Sequence, residues 1–163
     1  MNKKFAFYIY AAATSLLIIL ARENWTLYLS TKKLWQLNFA WLGKPFVFSL
    51  LSANILFFDC LSIWLPRSNF DSISDLVMVR QPNLKNLIIN VIPYIWQYFL
   101  IFVLVHVIAF SGSITRSIIM LAVMICIWLI LLFLPNYRCS LNEQRALVFV
   151  LLLGLRLFTN QFV

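Results

Sequence analysis

Residues 46–65 read FVFSLLSANILFFDCLSIWL and are bounded by Pro45 and Pro66. About 20 apolar residues cross a bilayer core as a helix, and this run has that length. It carries one ionisable residue, Asp59, and lacks the strict alternation of a half-buried strand. Four other runs share its character. They are 5–21, preceded by Lys3 and Lys4; 87–110, the longest; 117–134, closed by Pro135; and 146–163, interrupted by Arg156 and by Thr159-Asn160-Gln161. The expected fold is all-α: a polytopic integral membrane helical bundle of about five transmembrane helices, with 1–163 as a single domain. The first run also has the basic start and apolar centre of a signal peptide. Its length, and Ala21-Arg22-Glu23 in place of a small-residue cleavage site, favour an uncleaved helix.

The composition points the same way. Hydrophobic residues make up 63% of the chain and charged residues 11%, with a mean hydropathy of +0.92. A soluble domain carries about 25% charged residues, and a chain this short needs polar side chains to cover its surface. Thirteen basic against five acidic residues give +8. The basic residues lie between apolar runs, so lipid headgroups and topology explain them without nucleic acid. Cys60, Cys126 and Cys139 form no C-x-x-C, and with three glycines there is no G-x-x-x-x-G-K and no G-x-G-x-x-G. No cofactor and no metal are expected.

With the N-terminus inside, the inner segments hold Lys3, Lys4, Arg67, Arg80, Lys85, Arg138 and Arg145, and the outer ones hold Arg22, Lys32, Lys33, Lys44 and Arg116. This small excess favours a cytoplasmic N-terminus in a plasma-membrane protein. Residues 22–45 carry Trp25, Tyr28, Trp35, Phe39 and Trp41 among polar residues, and are expected to lie at the headgroup level. Residues 66–86 are the most water-compatible stretch. Pro66 is expected to break the preceding helix. Ser68 and Asp71 suit a new helix N-terminus, and Phe70, Ile73 and Val77 give it one apolar face. Asp71, Asp75 and Arg80 supply polar positions before Pro82 stops it. This short amphipathic inner helix reads equally as a surface connector and as a docking element for a soluble partner.

Ionisable groups within spans are expensive and are functional candidates. Those here are Asp59, His106 and Arg156. A helical rise of about 1.5 Å per residue places Asp59 roughly 9 Å, Arg156 roughly 15 Å and His106 roughly 29 Å from the inner ends of their spans. Asp59 and Arg156 are thus expected either to pair or each to face a wet interface. An intersubunit partner for Asp59 and snorkelling of Arg156 are the bland alternatives. His106 is expected near the outer interface, too far away to join them unless spans tilt or break. In the third run Asn86, Asn90, Tyr94 and Gln97 share a helix face, and should turn toward other helices or a wet cavity. Pro93 should kink that span or free a carbonyl. One intramembrane carboxylate, with no nucleophile beside a placed base, gives catalysis little support.

Phe57-Phe58-Asp59, the connector ending Asp75-Leu76-Val77-Met78-Val79-Arg80, and Asn83-Leu84-Lys85-Asn86 leading into a long span together resemble a known group. They are similar to small permease-like membrane subunits of type-2 (exporter-class) ABC transporters of the peptide or bacteriocin kind. The resemblance covers roughly residues 45–110. It implies that a cytoplasmic helix between spans two and three docks on a separate ATPase subunit, with Asp71, Asp75, Arg80 and Lys85 facing it. The family's usual six spans exceed the five read here, so a second membrane subunit or a homo-oligomer is implied as well. The function expected is that of a permease-like export subunit for a peptide or lipid-like substrate. The alternatives are a non-transporting accessory or immunity protein packed on another membrane complex and, last, an intramembrane enzyme.

Overall fold

The computed structural model describes residues 3–24, 31–43, 46–80, 84–110, 114–133 and 141–162, and over 69–80 and 84–91 and at 3, 24, 31, 94, 133, 141 and 162 it describes the helical backbone alone. Every described element is helical: α1 (Lys3–Asn24), α2 (Thr31–Phe39), α3 (Phe46–Arg80), α4 (Leu84–Ile108), α5 (Ile114–Phe133) and α6 (Leu141–Thr159), with a 3-10 turn at Asn160–Phe162. Three stretches are long and apolar enough to cross a membrane: Lys4–Glu23, Phe46–Ser68 and Ile114–Leu132. Within α4 the apolar stretch Ile95–Ile108 is shorter.

α3 is the hub and packs against each of the other five helices. Its buried residues, among them Phe48, Ile55, Phe58, Cys60 and Ile63, form a broad face, and Val47, Leu50 and Phe57 on the other side are exposed. The other helices each bury one stripe. On α1 the stripe is Phe7, Ala11, Thr14, Ile18 and Ala21, spaced alternately four and three apart, which is one face of a helix. Its small members let α1 come close to α3, where van der Waals packing rather than water exclusion holds membrane helices together. On α6 the stripe is Val148, Leu152, Arg156 and Thr159. Leu16 and Leu17 of α1, Ile119 and Ile130 of α5 and Val150 of α6 point outward, as side chains facing lipid would.

Side-chain contacts set the helix directions. Phe7 stacks on Phe58 at 5.8 Å, while Tyr10 and Thr14 bond to Asn54, so α1 runs antiparallel to α3. Trp128 donates to Ser62 Oγ at 3.0 Å and Arg67 donates to the Leu131 carbonyl at 2.7 Å, so α5 runs parallel to it.

The second helix does not end at Pro66. It continues to Arg80 as one helix with Pro66 inside, which corrects the separate short helix expected from the sequence. Pro66 removes one backbone donor and crowds the carbonyl four residues back. The turn is braced on both sides. Ser68 Oγ donates to the Leu65 carbonyl at 2.9 Å, and Arg67 is held by the C-terminal end of α5. Hydroxyls and neighbouring helices make proline tolerable in long membrane helices. Pro93 lies inside α4 in the same way. Phe70, Asp71, Ile73, Asp75, Val77 and Arg80 therefore lie on α3 itself and Lys85 on α4; their side chains are outside the described residues.

Residues 22–45 also depart from the headgroup-level loop expected of them: in their C-terminal half Leu37, Asn38, Phe39 and Ala40 are buried in the bundle. α2 dips in and 40–43 turns back, with the Leu42 N–H donating to Ser52 Oγ at 3.2 Å. Non-helical backbone can lie at membrane depth where protein covers it and supplies its hydrogen bonds.

This arrangement separates the described cysteines. Cys60 is buried and Cys126 is exposed on α5. With Cys139 replaced by serine, a lipid-soluble maleimide is expected to label Cys126 in vesicles at least ten times faster than Cys60. A water-soluble maleimide is expected to label neither until the protein is unfolded. Mass spectrometry of the alkylated peptides checks this.

Candidate functional site

The site is a cluster of charge in the middle of the bundle. A rise of about 1.5 Å per residue puts Asp59 about 20 Å from the Phe46 end of the apolar stretch of α3 and about 14 Å from the Ser68 end. Asp59, His106 and Arg156 are all completely buried. Arg156, in the last turn of α6, donates from Nη2 to Asp59 Oδ2 at 2.6 Å. It also donates from Nη1 to the Ala40 carbonyl at 3.3 Å.

His106 belongs to the same cluster, which corrects the expectation that it lies too far away to join Asp59 and Arg156. Its Nε2 lies 3.5 Å from Asp59 Oδ1. The reason is the continuity of α3. Pro66 suggests an inner end for the span, but α3 runs on to Arg80, and α4 starts at Leu84. Measured from those two helix ends, Asp59 is about 32 Å along α3 and His106 about 33 Å along α4. The two arms of one helical hairpin bring them level.

Three helix C-termini meet here. α2 ends at Phe39, α4 at Ile108 and α6 at Thr159. A helix C-terminus carries roughly half a negative charge, and α6 passes from Thr159 straight into the 3-10 turn. The Ala40 carbonyl takes the Arg156 guanidinium, the Phe39 carbonyl accepts from Thr159 Oγ1 at 2.9 Å, and the His106 carbonyl accepts from Asn38 Nδ2 at 3.1 Å. Arg156 and His106 sit in the last turns of α6 and α4, where the helix dipole favours cations. Aromatic rings close the cluster: His106 lies 4.5 Å from the Phe102 ring and 5.9 Å from the Phe39 ring, centroid to centroid. Behind Asp59, Ser62 Oγ donates to the Asp59 carbonyl at 2.7 Å and accepts from Trp128.

Of the polar face expected on the third span, Gln97 is exposed and its Oε1 accepts from Tyr8 at 2.8 Å. It thus points outward, tied to α1, rather than into a cavity. Asn90 and Tyr94 lie outside the described side chains. Asn38, the Phe39 and Ala40 carbonyls and Thr159 went unrecognised in the sequence. A buried backbone carbonyl has no residue type to mark it, although Thr159 stood out as a polar break in an apolar run. No group of three histidine, cysteine or acidic residues that could hold a metal occurs among the described residues. Comparison with known protein families, with curated proteins and with solved structures finds no match to this chain.

Proposed function

We propose that this chain is the membrane-spanning, permease-like subunit of an export complex, energised by a separate ATPase subunit. What supports the reading is the length of α3. The apolar stretch ends at Ser68, but the helix continues to Arg80, about 18 Å further. α4 returns from Leu84. The bundle thereby carries a helical hairpin beyond its apolar layer, and that hairpin includes Asp71, Asp75, Arg80 and Lys85. A rigid lever of this kind transmits a push from a soluble partner directly to the level of Asp59 and His106. In this reading α1, α3 and α5 cross fully, α4 and α6 end at half-depth, and the hairpin shares the cytoplasmic side with the N-terminus. The exported substrate is a peptide or lipid-like molecule, and a second copy or a second membrane subunit completes the pathway.

The test is purification of the tagged full-length chain from native membranes in mild detergent. An ATP-hydrolysing protein with a G-x-x-x-x-G-K loop is expected to accompany it. Reversing the charges at Asp71, Asp75, Arg80 and Lys85 together is expected to reduce its recovery at least tenfold while the bundle stays folded. A stable membrane complex without an ATPase would instead make the chain an accessory subunit.

A further inference from the structure

Asp59 Oδ1 and His106 Nε2 face each other at 3.5 Å, and neither has a hydrogen-bond partner. Both residues are fully enclosed. The other ring nitrogen settles which hydrogens are present. His106 Nδ1 lies 3.0 Å from the Phe102 carbonyl, which can only accept, so Nδ1 carries the hydrogen. In a neutral ring Nε2 is then a bare lone pair. It points at a carboxylate oxygen that is also an acceptor. Two buried acceptors facing one another leave a gap that one proton fills.

We propose that Asp59 and His106 form a proton-binding site at half-depth in the bundle. A proton released by water bonds to the Nε2 lone pair, and the resulting N–H donates to Asp59 Oδ1. One N–H bond forms, one O–H bond of the hydrated proton breaks, and no electrons are transferred.

Enclosure opposes a charge here, and the carboxylate and the helix ends offset part of that cost. Asp59 and Arg156 cancel, so the bound proton leaves one net positive charge among three converging helix C-termini, each worth roughly half a negative charge. Asp59 faces the ring from α3, and Arg156 lies close by on α6. α2 contributes Asn38 and the Phe39 ring, neither of which titrates. Tyr10 of α1 and Cys60 of α3 are within electrostatic reach of the carboxylate. Half-helix ends gathered around a cation or proton at the midplane are also how transporters build coupling sites. Asn38, whose amide donates to the His106 carbonyl, also lines a small recess with Ile18, Arg22 and Leu37. The proposal stands independently of any ATPase partner.

His106 is the only histidine in the chain, so its signals are unambiguous. The full-length protein, labelled with 15N-histidine and 13C-aspartate, is titrated in nanodiscs and read by NMR. Nδ1 is expected to stay protonated throughout, while Nε2 gains its proton in a single step as the pH falls. In the protonated state Nε2–H is expected to show close contact with an aspartate carboxylate carbon. In Asp59→Asn the step is expected at least one pH unit lower, a tenfold weaker site. The proposal is overturned if Nδ1 is the nitrogen that titrates, if Nε2 does not change between pH 4 and pH 9, or if Asp59→Asn titrates as the wild type does. Should Asp59→Asn fail to fold, the carboxylate contact in the wild-type protein decides: its presence supports the site and its absence overturns it.

Discussion

Replacing Arg156 with methionine is expected to destabilise the folded bundle by about 3–5 kcal/mol, the usual effect of removing one partner from a buried ion pair. The guanidinium is fully enclosed and meets Asp59 and the Ala40 carbonyl. Without it, a carboxylate and a carbonyl remain buried with no donor, and the entry of α2 into the bundle loses its tie to α6. Asp59→Asn leaves the converse fault, a buried cation with a neutral neighbour, and is expected to be of similar size. The double variant Asp59→Asn with Arg156→Met removes both charges and is expected to be more stable than either single variant, because neutral replacements of buried pairs are often well tolerated. Unfolding of the four proteins in one detergent, followed by circular dichroism, completes the cycle. Two near-normal single variants would show that the pair contributes little to holding α3, α2 and α6 together.

Trp128→Ala is expected to be the next largest loss, about 3 kcal/mol. Trp128 is buried on α5 and its indole packs on Phe99 and Phe102 of α4, at 5.5 and 6.1 Å between centroids. Its N–H donates to Ser62, which in turn donates to the Asp59 carbonyl. Truncation leaves a void that the surrounding rings cannot fill, and it frees one hydroxyl lone pair. The value sits at the low end for aromatic truncations. A chain that unfolds within lipid keeps its apolar surface away from water in either state, so the loss is mostly one of packing contacts. Trp128→Phe keeps most of the ring volume and is expected to recover more than half of the loss. The same unfolding measurement decides it: equal losses for the two variants would mean that the hydrogen bond, and not the ring volume, is what matters.

The contact of Arg156 was legible in the sequence in part, and those of Trp128 were not. Asp59 and Arg156 stood out because an ionisable residue in an apolar run needs a reason to be there. Their approach in depth followed from counting residues. The same arithmetic sets His106 apart, because it counts from Pro66 and α3 runs on to Arg80. Pro66 is a helix breaker by local chemistry, yet Ser68 and the Leu131 carbonyl hold the chain in register across it. The aromatic loop 22–45 carries the composition of an interfacial segment, and only the packing of Leu37, Phe39 and Ala40 against the other helices turns part of it inward.

The sequence alone marked this chain as helical and apolar, with five runs read as spans, and picked out the few side chains costly enough there to need partners; the structure holds three stretches long and apolar enough to cross. Those are properties of composition and run length, which local chemistry controls. The tertiary structure decided that α3 runs unbroken to Arg80, that α2 ends inside the bundle, and that Asp59, Arg156 and His106 share one level. Each of these depends on a group donated from elsewhere in the chain: a carbonyl of α5 for Arg67, a guanidinium of α6 for Ala40, a carboxylate of α3 opposite the ring of α4. Such partners lie far apart in sequence, and no local pattern shows them until the helices are packed.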